Sequence, residues 1–159
     1  MLGDITTIST GAIVNSANPS LLAGGGVCGA IHCVAGPQLE EACRLIGKIE
    51  PGQAVITPAF FLPADFVIHA VAPRYFDGQR NEADTLLQAY SSICTIITQA
   101  QIKRVTLPSL GTGIYRFPLE HAAQIAVETL RELLPVGLDA AFVCFDHVTL
   151  SAYDQALRR

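Results

Sequence analysis

Positive charge is scarce in this 159-residue chain: ten Lys and Arg stand against fourteen Asp and Glu, for a net charge of −4. Without a basic footprint an extended nucleic-acid surface is not expected, whereas a small site for one anionic ligand remains open. The five cysteines include no C-x-x-C pair, and their odd number argues against a disulfide framework and for a reducing, cytoplasmic setting. No long uninterrupted apolar run occurs. The longest tract, Ala54 to Pro73, is cut by Pro58, Pro63, Asp65 and His69, so it reads as two strands and a turn rather than a membrane span. The opening MLGD lacks a basic n-region and an apolar h-region, so no leader is expected. Internal repeats and low-complexity segments are absent too. With 50% apolar residues the chain can bury a full core, and one domain over residues 1–159, monomeric, is expected.

What is present is concentrated in AIVNSANPSLLAGGGVCGAIHCVAG, Ala12 to Gly36. A short buried strand, Ala12 to Val14, leads through Asn15 and Asn18 and a Pro-Ser turn to Gly24, Gly25 and Gly26, after which a helix follows. Glycines between a strand and a helix let backbone N–H groups converge where the helix N-terminus is electropositive, which suits a phosphate. The carboxamides at the strand end suit neutral hydroxyls. Together they predict a site for a sugar attached to phosphate. Gly24, Gly26 and Gly29 also spell G-x-G-x-x-G. A dinucleotide-binding Rossmann unit is disfavoured, because the polar stretch Asn15 to Ser20 intervenes and the next strand-like run, Gln53 to Thr57, ends in TPA rather than an acid.

Along the chain, GDIT (Gly3 to Thr6) precedes the first clear strand. A sheet of this composition would have another strand ahead of Gly3, so its first edge strand is expected to be missing. Helices are predicted over Val27–Ala35 and Gln38–Ile46, the second with Pro37 at its first position. Gln53–Ala59 and Phe66–Val71 read as strands. From Glu82 to Gln101 the set Leu86, Tyr90, Ile93, Ile97 recurs at helical spacing. Then the strand, glycine loop, helix arrangement recurs: Val105–Leu107, PSLGTGIYRF (Pro108 to Phe117), and a helix from Pro118 with inner face Leu119, Ala122, Ala126, Leu130 and Leu133. Ala140–Phe145 reads as a final buried strand and Ser151–Leu157 as a closing helix. Strands alternating with helices predict a three-layer α/β fold in which two such loops grip a diphosphate from both sides.

GDIT, AIVNSAN, LLAGGGVCGAIH and PSLGTGIYRFP, in this order and spacing, resemble the macro domain over nearly the whole chain, and most closely its hydrolase-type, O-acetyl-ADP-ribose deacetylase branch. The resemblance implies an ADP-ribose site on a mixed, mostly parallel sheet between two helical layers. It implies ADP-ribose or an ADP-ribosylated protein as partner, and no cofactor or metal. Carried over, Asp4 accepts the adenine amino group and the Ile5 backbone lies near the ring; Phe145 packs on the adenine. Asn18 holds the distal ribose while Asn15 ties the loop together. Gly25, Gly26 and Val27 line the first phosphate loop. Ser109, Gly111, Thr112, Gly113, Ile114 and Tyr115 form the second, with the Tyr115 ring against the distal ribose. The implied activity is hydrolysis of ADP-ribose esters, O-acetyl-ADP-ribose or mono-ADP-ribosylated acidic side chains, by a positioned water, with Asn18, Cys28 and Tyr115 as the catalytic set. A non-catalytic ADP-ribose reader is the alternative.

Two departures bear on that choice. Where the hydrolase pattern has an aspartate after GGGV, this chain has Cys28, at a helix N-terminus with His32 four residues on, both features that can favour a thiolate; the alternative is an inert small residue lining the pocket. Where the family has Gly after the aromatic residue, this chain has Arg116, placed to meet a phosphate or to face solvent. His69, between Ile68 and Ala70, reads as a satisfied core histidine; His121 and His147 read as surface or cap residues; Cys33, Cys43, Cys94 and Cys144 read as small core hydrophobes. Cys28, His32 and Cys33 do not form a zinc set, since His32 and Cys33 point about 100° apart on a helix and no distant ligand pair completes a tetrahedron.

Overall fold

The computed structural model describes residues Met1–Arg159. Its strands are β1 (Ala12–Ala17), β2 (Ala54–Pro58), β3 (Phe66–Val71), β4 (Arg104–Leu107) and β5 (Asp139–Phe142); its helices are α1 (Gly26–Ala35), α2 (Pro37–Ile46), α3 (Glu82–Ala100), α4 (Leu119–Leu133) and α5 (His147–Leu157). The strands form one sheet in the order β2-β3-β1-β4-β5. β1 runs parallel to both β3 and β4, and β4 to β5; only β2 is antiparallel to its neighbour. This is the expected mixed, mostly parallel sheet.

Side chains alternate across it, as the pleat requires. Ala12 and Val14 of β1 with Ile68 and Ala70 of β3 face α3, α4 and α5, where the predicted stripe Leu86, Tyr90, Ile93, Ile97 meets them in the larger core. Ile13, Ala17, Val67 and Val71 face the other way, onto Ile31 and Ala35 of α1 and Leu39 and Cys43 of α2. Hence three layers. The α1–α2 corner is turned by Gly36 at φ 89°, with Pro37 opening α2 as predicted. On α4, Ala122, Ala126 and Leu130 are buried, but Leu133 is exposed, because Leu134 just beyond the helix takes the inward place.

Three further expectations change. The last strand stops at Phe142 and is an edge whose Asp139 and Ala140 are exposed, because only β4 flanks it. Ahead of Gly3 there is no strand, as expected: Leu2 makes a single parallel bridge to Cys144, with the Gly3 N–H donating to the Cys144 carbonyl at 2.8 Å. The uncovered edge leaves a groove of about 530 Å³ lined by Met1, Leu130, Leu134, Val136, Phe142 and Leu157. Cys33 is exposed on the outer side of α1 instead of in the core. The closing helix begins earlier than expected, at His147, because the Asp146 carboxylate accepts the Thr149 N–H at 2.7 Å and caps it.

One polar cluster pins β1 to its surroundings. Asn15, fully buried, stands beside His69 in register and its amide donates to His69 Nδ1 at 3.1 Å and to the Cys28 sulfur at 3.7 Å. His69 Nε2 lies 3.0 Å from the Thr57 hydroxyl, which donates on to the Pro58 carbonyl. His69 is therefore a neutral, satisfied core histidine, and burial, then His32, pushes its pKa down to about 3. Replacing it leaves a cavity and an unpaired Asn15 amide. His69→Ala is expected to lose about 2–4 kcal/mol of unfolding free energy, read from urea midpoints at pH 7.5.

Candidate functional site

Because β1 has parallel neighbours on both sides, the carboxyl ends of β1, β3, β4 and β5 open on one edge of the sheet. After β1 the chain passes toward β3; after α3 it crosses to β4 on the other side. The crevice at such a reversal is where ligands of open α/β sheets bind. Asn18 follows β1 directly, Ser109 follows β4, and Phe145 lies just past β5.

The first loop is wired around the Leu22 carbonyl. It accepts the Asn18 amide at 2.9 Å and the Cys28 thiol at 3.6 Å, while Asn18 Oδ1 accepts the Ser20 hydroxyl at 2.6 Å. Both ends of the Asn18 carboxamide thus engage its own loop, and Asn15, deeper, ties strand to helix. Gly26 sits at φ 57° at the start of α1, and a Cβ at Gly25 or Gly26 would meet only open space. Gly29 differs: a Cβ there would stand 2.3 Å from the Gly24 carbonyl oxygen, so the absent side chain is what lets α1 reach the loop. The start of α1 is therefore open at Gly25 and Gly26, while Val27 packs its side chain against the core. Cys28 is buried at this helix start. His32 is buried as well, but neither ring nitrogen has a partner, and burial lowers its pKa, so it forms no ion pair with Cys28.

The second loop is held from below. The Tyr153 hydroxyl donates to Ser109 Oγ at 2.9 Å, Ser109 bonds Thr112 at 2.7 Å, and the Phe117 N–H returns to the Gly111 carbonyl at 2.8 Å. Gly111 needs its φ of 77°, and a Cβ there would press the Ala72 side chain at 3.1 Å; at Gly113 the space is open. Ile114 is 91% exposed, Tyr115 is half-buried, and Arg116 is exposed at φ 63°, a strained conformation for a non-glycine residue. At the β5 end, Asp4 caps the turn Ile5–Thr7, accepting the Thr6 N–H at 2.9 Å, and the bridge of Gly3 to Cys144 sets this turn beside Phe145. Ile5 buries its side chain, whereas Phe145 is 78% exposed, a free aromatic face.

A model of the family described as "Macro domain" matches residues 14–126. This chain belongs to the macro-domain family. An O-acetyl-ADP-ribose deacetylase of Enterobacter cloacae is 47% identical over 98% of this chain and 90% of its own length. The macrodomain of Oceanobacillus iheyensis superposes with a TM-score of 0.93 at 34% identity, covering 99% of this chain and 88% of that one. A Trypanosoma brucei macrodomain, solved in complex with ADP-ribose, does so with a TM-score of 0.87 at 32% identity, covering 98% of this chain and 68% of that one. Solved variants of the Oceanobacillus protein replace an asparagine, a glycine and an aspartate with the spacing that Asn18, Gly25 and Cys28 have here. By that spacing, Cys28 of this macro domain falls at the aspartate.

The loop from Ala72 to Glu82, after β3, belongs to the same edge and had not been singled out from the sequence. Its signal was visible: it follows a parallel strand and carries Arg74, Gly78 and Arg80 before a helix. Glu82 builds it. Buried at the head of α3, its carboxylate accepts the N–H groups of Phe76, Gly78 and Arg80 at 2.9, 3.0 and 2.6 Å, and also that of Asp77. These bonds, that from Phe76 first, hold its pKa at about 2 against the opposing effect of burial. The Tyr75 N–H donates to the Tyr115 carbonyl at 2.8 Å, fastening this loop to the second glycine loop.

Two outcomes follow for the macro domain. Gly29→Ala should drive α1 off the Gly24 carbonyl, costing about 1–3 kcal/mol of stability, readable by calorimetry. His69 and Glu82 both titrate lower in the folded state than their ordinary 6.5 and 4.5. Their stabilisation is complete above those values and is lost as pH falls toward about 3 and about 2. Urea midpoints measured at stepped pH should fall below pH 6.5; His69→Gln should flatten the upper part of that fall and Glu82→Gln the part below 4.5.

Proposed function

We propose that this domain binds ADP-ribose and hydrolyses ADP-ribose esters, O-acetyl-ADP-ribose or mono-ADP-ribosylated acidic side chains. One observation carries the reading: the loops that follow the adjacent parallel strands β1 and β4 hold glycines, Gly25, Gly26 and Gly113, at which a side chain would meet only open space. A diphosphate fits between such loops, its charge met by backbone N–H groups and the α1 N-terminus without lysine or arginine. At one end Asp4, the Ile5 backbone and the exposed Phe145 ring receive the adenine; stacking on an aromatic ring contributes about 1–3 kcal/mol. At the other end Asn18 and Tyr115 receive the distal ribose, and Ser109, Gly111, Thr112 and Ile114 complete the second phosphate loop. The domain acts as one unit over residues 1–159, and its free cysteines suit the cytoplasm. No helix is long and apolar enough to cross a membrane.

In the hydrolytic step a water held near Asn18 adds to the acyl carbon, its proton passing to a substrate phosphate. The bond from that carbon to the ribose oxygen then breaks, and the ribose oxygen leaves with a proton. The loops supply position and charge stabilisation. Cys28 provides no carboxylate, and its thiol donates to the Leu22 carbonyl, so the step runs without a general base from the protein. That same observation favours the second reading, a reader that holds ADP-ribose without turnover. Calorimetry with ADP-ribose, followed by chromatography of O-acetyl-ADP-ribose digests, separates them. The native chain is expected to bind and turn over slowly, and Cys28→Asp to raise the rate about 10²-fold. Binding with no turnover in the native chain makes it a reader; absence of binding removes both readings.

A further inference from the structure

Beside Tyr115 lies a second cavity, of about 360 Å³, lined among others by Pro19, Ala72, Arg74, Phe76, Arg80 and Tyr115. Pro19, the neighbour of Asn18, and Tyr115 both line it, so this cavity adjoins the end assigned to the distal ribose. It is far larger than an acetyl group needs. Its charge also opposes that of the molecule: the net charge is −4, yet Arg74 stands over the Tyr115 ring, 5.3 Å from its centre, and Arg80 stands over Phe76 at 4.5 Å. A guanidinium held over an aromatic face gains cation–π attraction while keeping N–H donors for another partner.

The nearby acids do not cancel these charges. Glu82 is turned into the loop, its two oxygens taken by four backbone N–H groups. Asp77 meets Arg80 at 3.7 Å in a pair exposed on both sides, which is worth little in water. Arg74 has no ion-pair partner within 4.0 Å. The mounting is built rather than incidental. Glu82 sets the turn that carries Phe76 and Arg80, Gly78 supplies it with a φ of 78°, and the bond from Tyr75 to the Tyr115 carbonyl couples the turn to the ribose end of the site.

We propose that this cavity is the acceptor-side subsite: it receives the protein segment joined to the distal ribose, and Arg74 and Arg80 select segments with acidic residues flanking the modified one. This rests on the reading that the crevice holds ADP-ribose. It names the substrate class as protein-linked ADP-ribose in an acidic context, in preference to a small acyl ester.

The test uses the full chain and three probes: ADP-ribose, and two otherwise identical peptides carrying ADP-ribose through a non-hydrolysable linkage, one with three flanking aspartates and one with three flanking lysines. The readout is the ratio of the two peptide Kd values, by fluorescence anisotropy at low salt. The native chain is expected to favour the aspartate peptide about 5–10-fold, as two exposed charge pairs allow, with the ratio shrinking at 0.5 M salt. Combining Arg74→Ala with Arg80→Ala should bring the ratio close to one, and Arg80→Glu should invert it. A native ratio of one, or a ratio that survives both sets of substitutions, overturns the subsite while leaving ADP-ribose binding intact. Failure of ADP-ribose itself to bind overturns the functional reading, and this inference with it.

Discussion

The site depends on one pairing constraint: β1 is hydrogen-bonded in parallel to β3 on one side and to β4 on the other. Parallel neighbours send their following loops to the same edge, so three chain segments distant in sequence meet there: Asn18 to Cys28, Ala72 to Glu82, and Ser109 to Phe117. If either partner ran antiparallel, one of these loops would lie at the opposite end of the sheet. The Asn15–His69 bond reinforces the constraint from within, since it joins the two strands on the face that α1 covers and reaches the first residues of that helix through Cys28.

Within that frame the side chains at the edge serve mainly to shape backbone. Leu22 and Glu82 each gather hydrogen bonds from their own loops, Ser109 bonds Thr112 and Tyr153, and the positions Gly25, Gly26 and Gly113 are left open. An acidic protein can bind a diphosphate on these terms, because converging backbone dipoles and a helix N-terminus need no net positive charge. The two arginines at the far end stand apart from this scheme. They are side-chain charges mounted on aromatic rings, the arrangement that suits a variable partner rather than a constant diphosphate.

Cys28 shows how loop architecture and chemistry compete for one position. As a thiol it can donate to the Leu22 carbonyl and accept from the Asn15 amide, so it closes the loop onto the helix. An ionised carboxylate can only accept. It would have to turn from Leu22 toward the crevice, where it would be useful to an attacking water and of no use to the loop. The residue present thus favours a stable loop over base catalysis.

Much of this was legible in the sequence. The alternation of strands and helices, the stripe Leu86, Tyr90, Ile93, Ile97, the α2 start at Pro37 and the two glycine loops follow from periodicity and from the special backbone of Gly and Pro, which are local properties. The burial of His69 could be read from its apolar neighbours. The partners of Asn15 could not, because they come from β3 and α1. Cys33 and Leu133 are exposed although apolar, because hydrophobic character says that a residue can be buried, while which side of a helix meets the sheet decides whether it is. Phe145 stands exposed beyond a strand that ends early, a consequence of the bare edge beside β5. The cavity beside Tyr115 was beyond reach altogether. Local sequence determined the pieces and their chemistry; only the parallel register around β1 decided that Pro19, Arg74 and Tyr115 would share one wall, because contacts between distant segments are set by strand order, which no local pattern encodes.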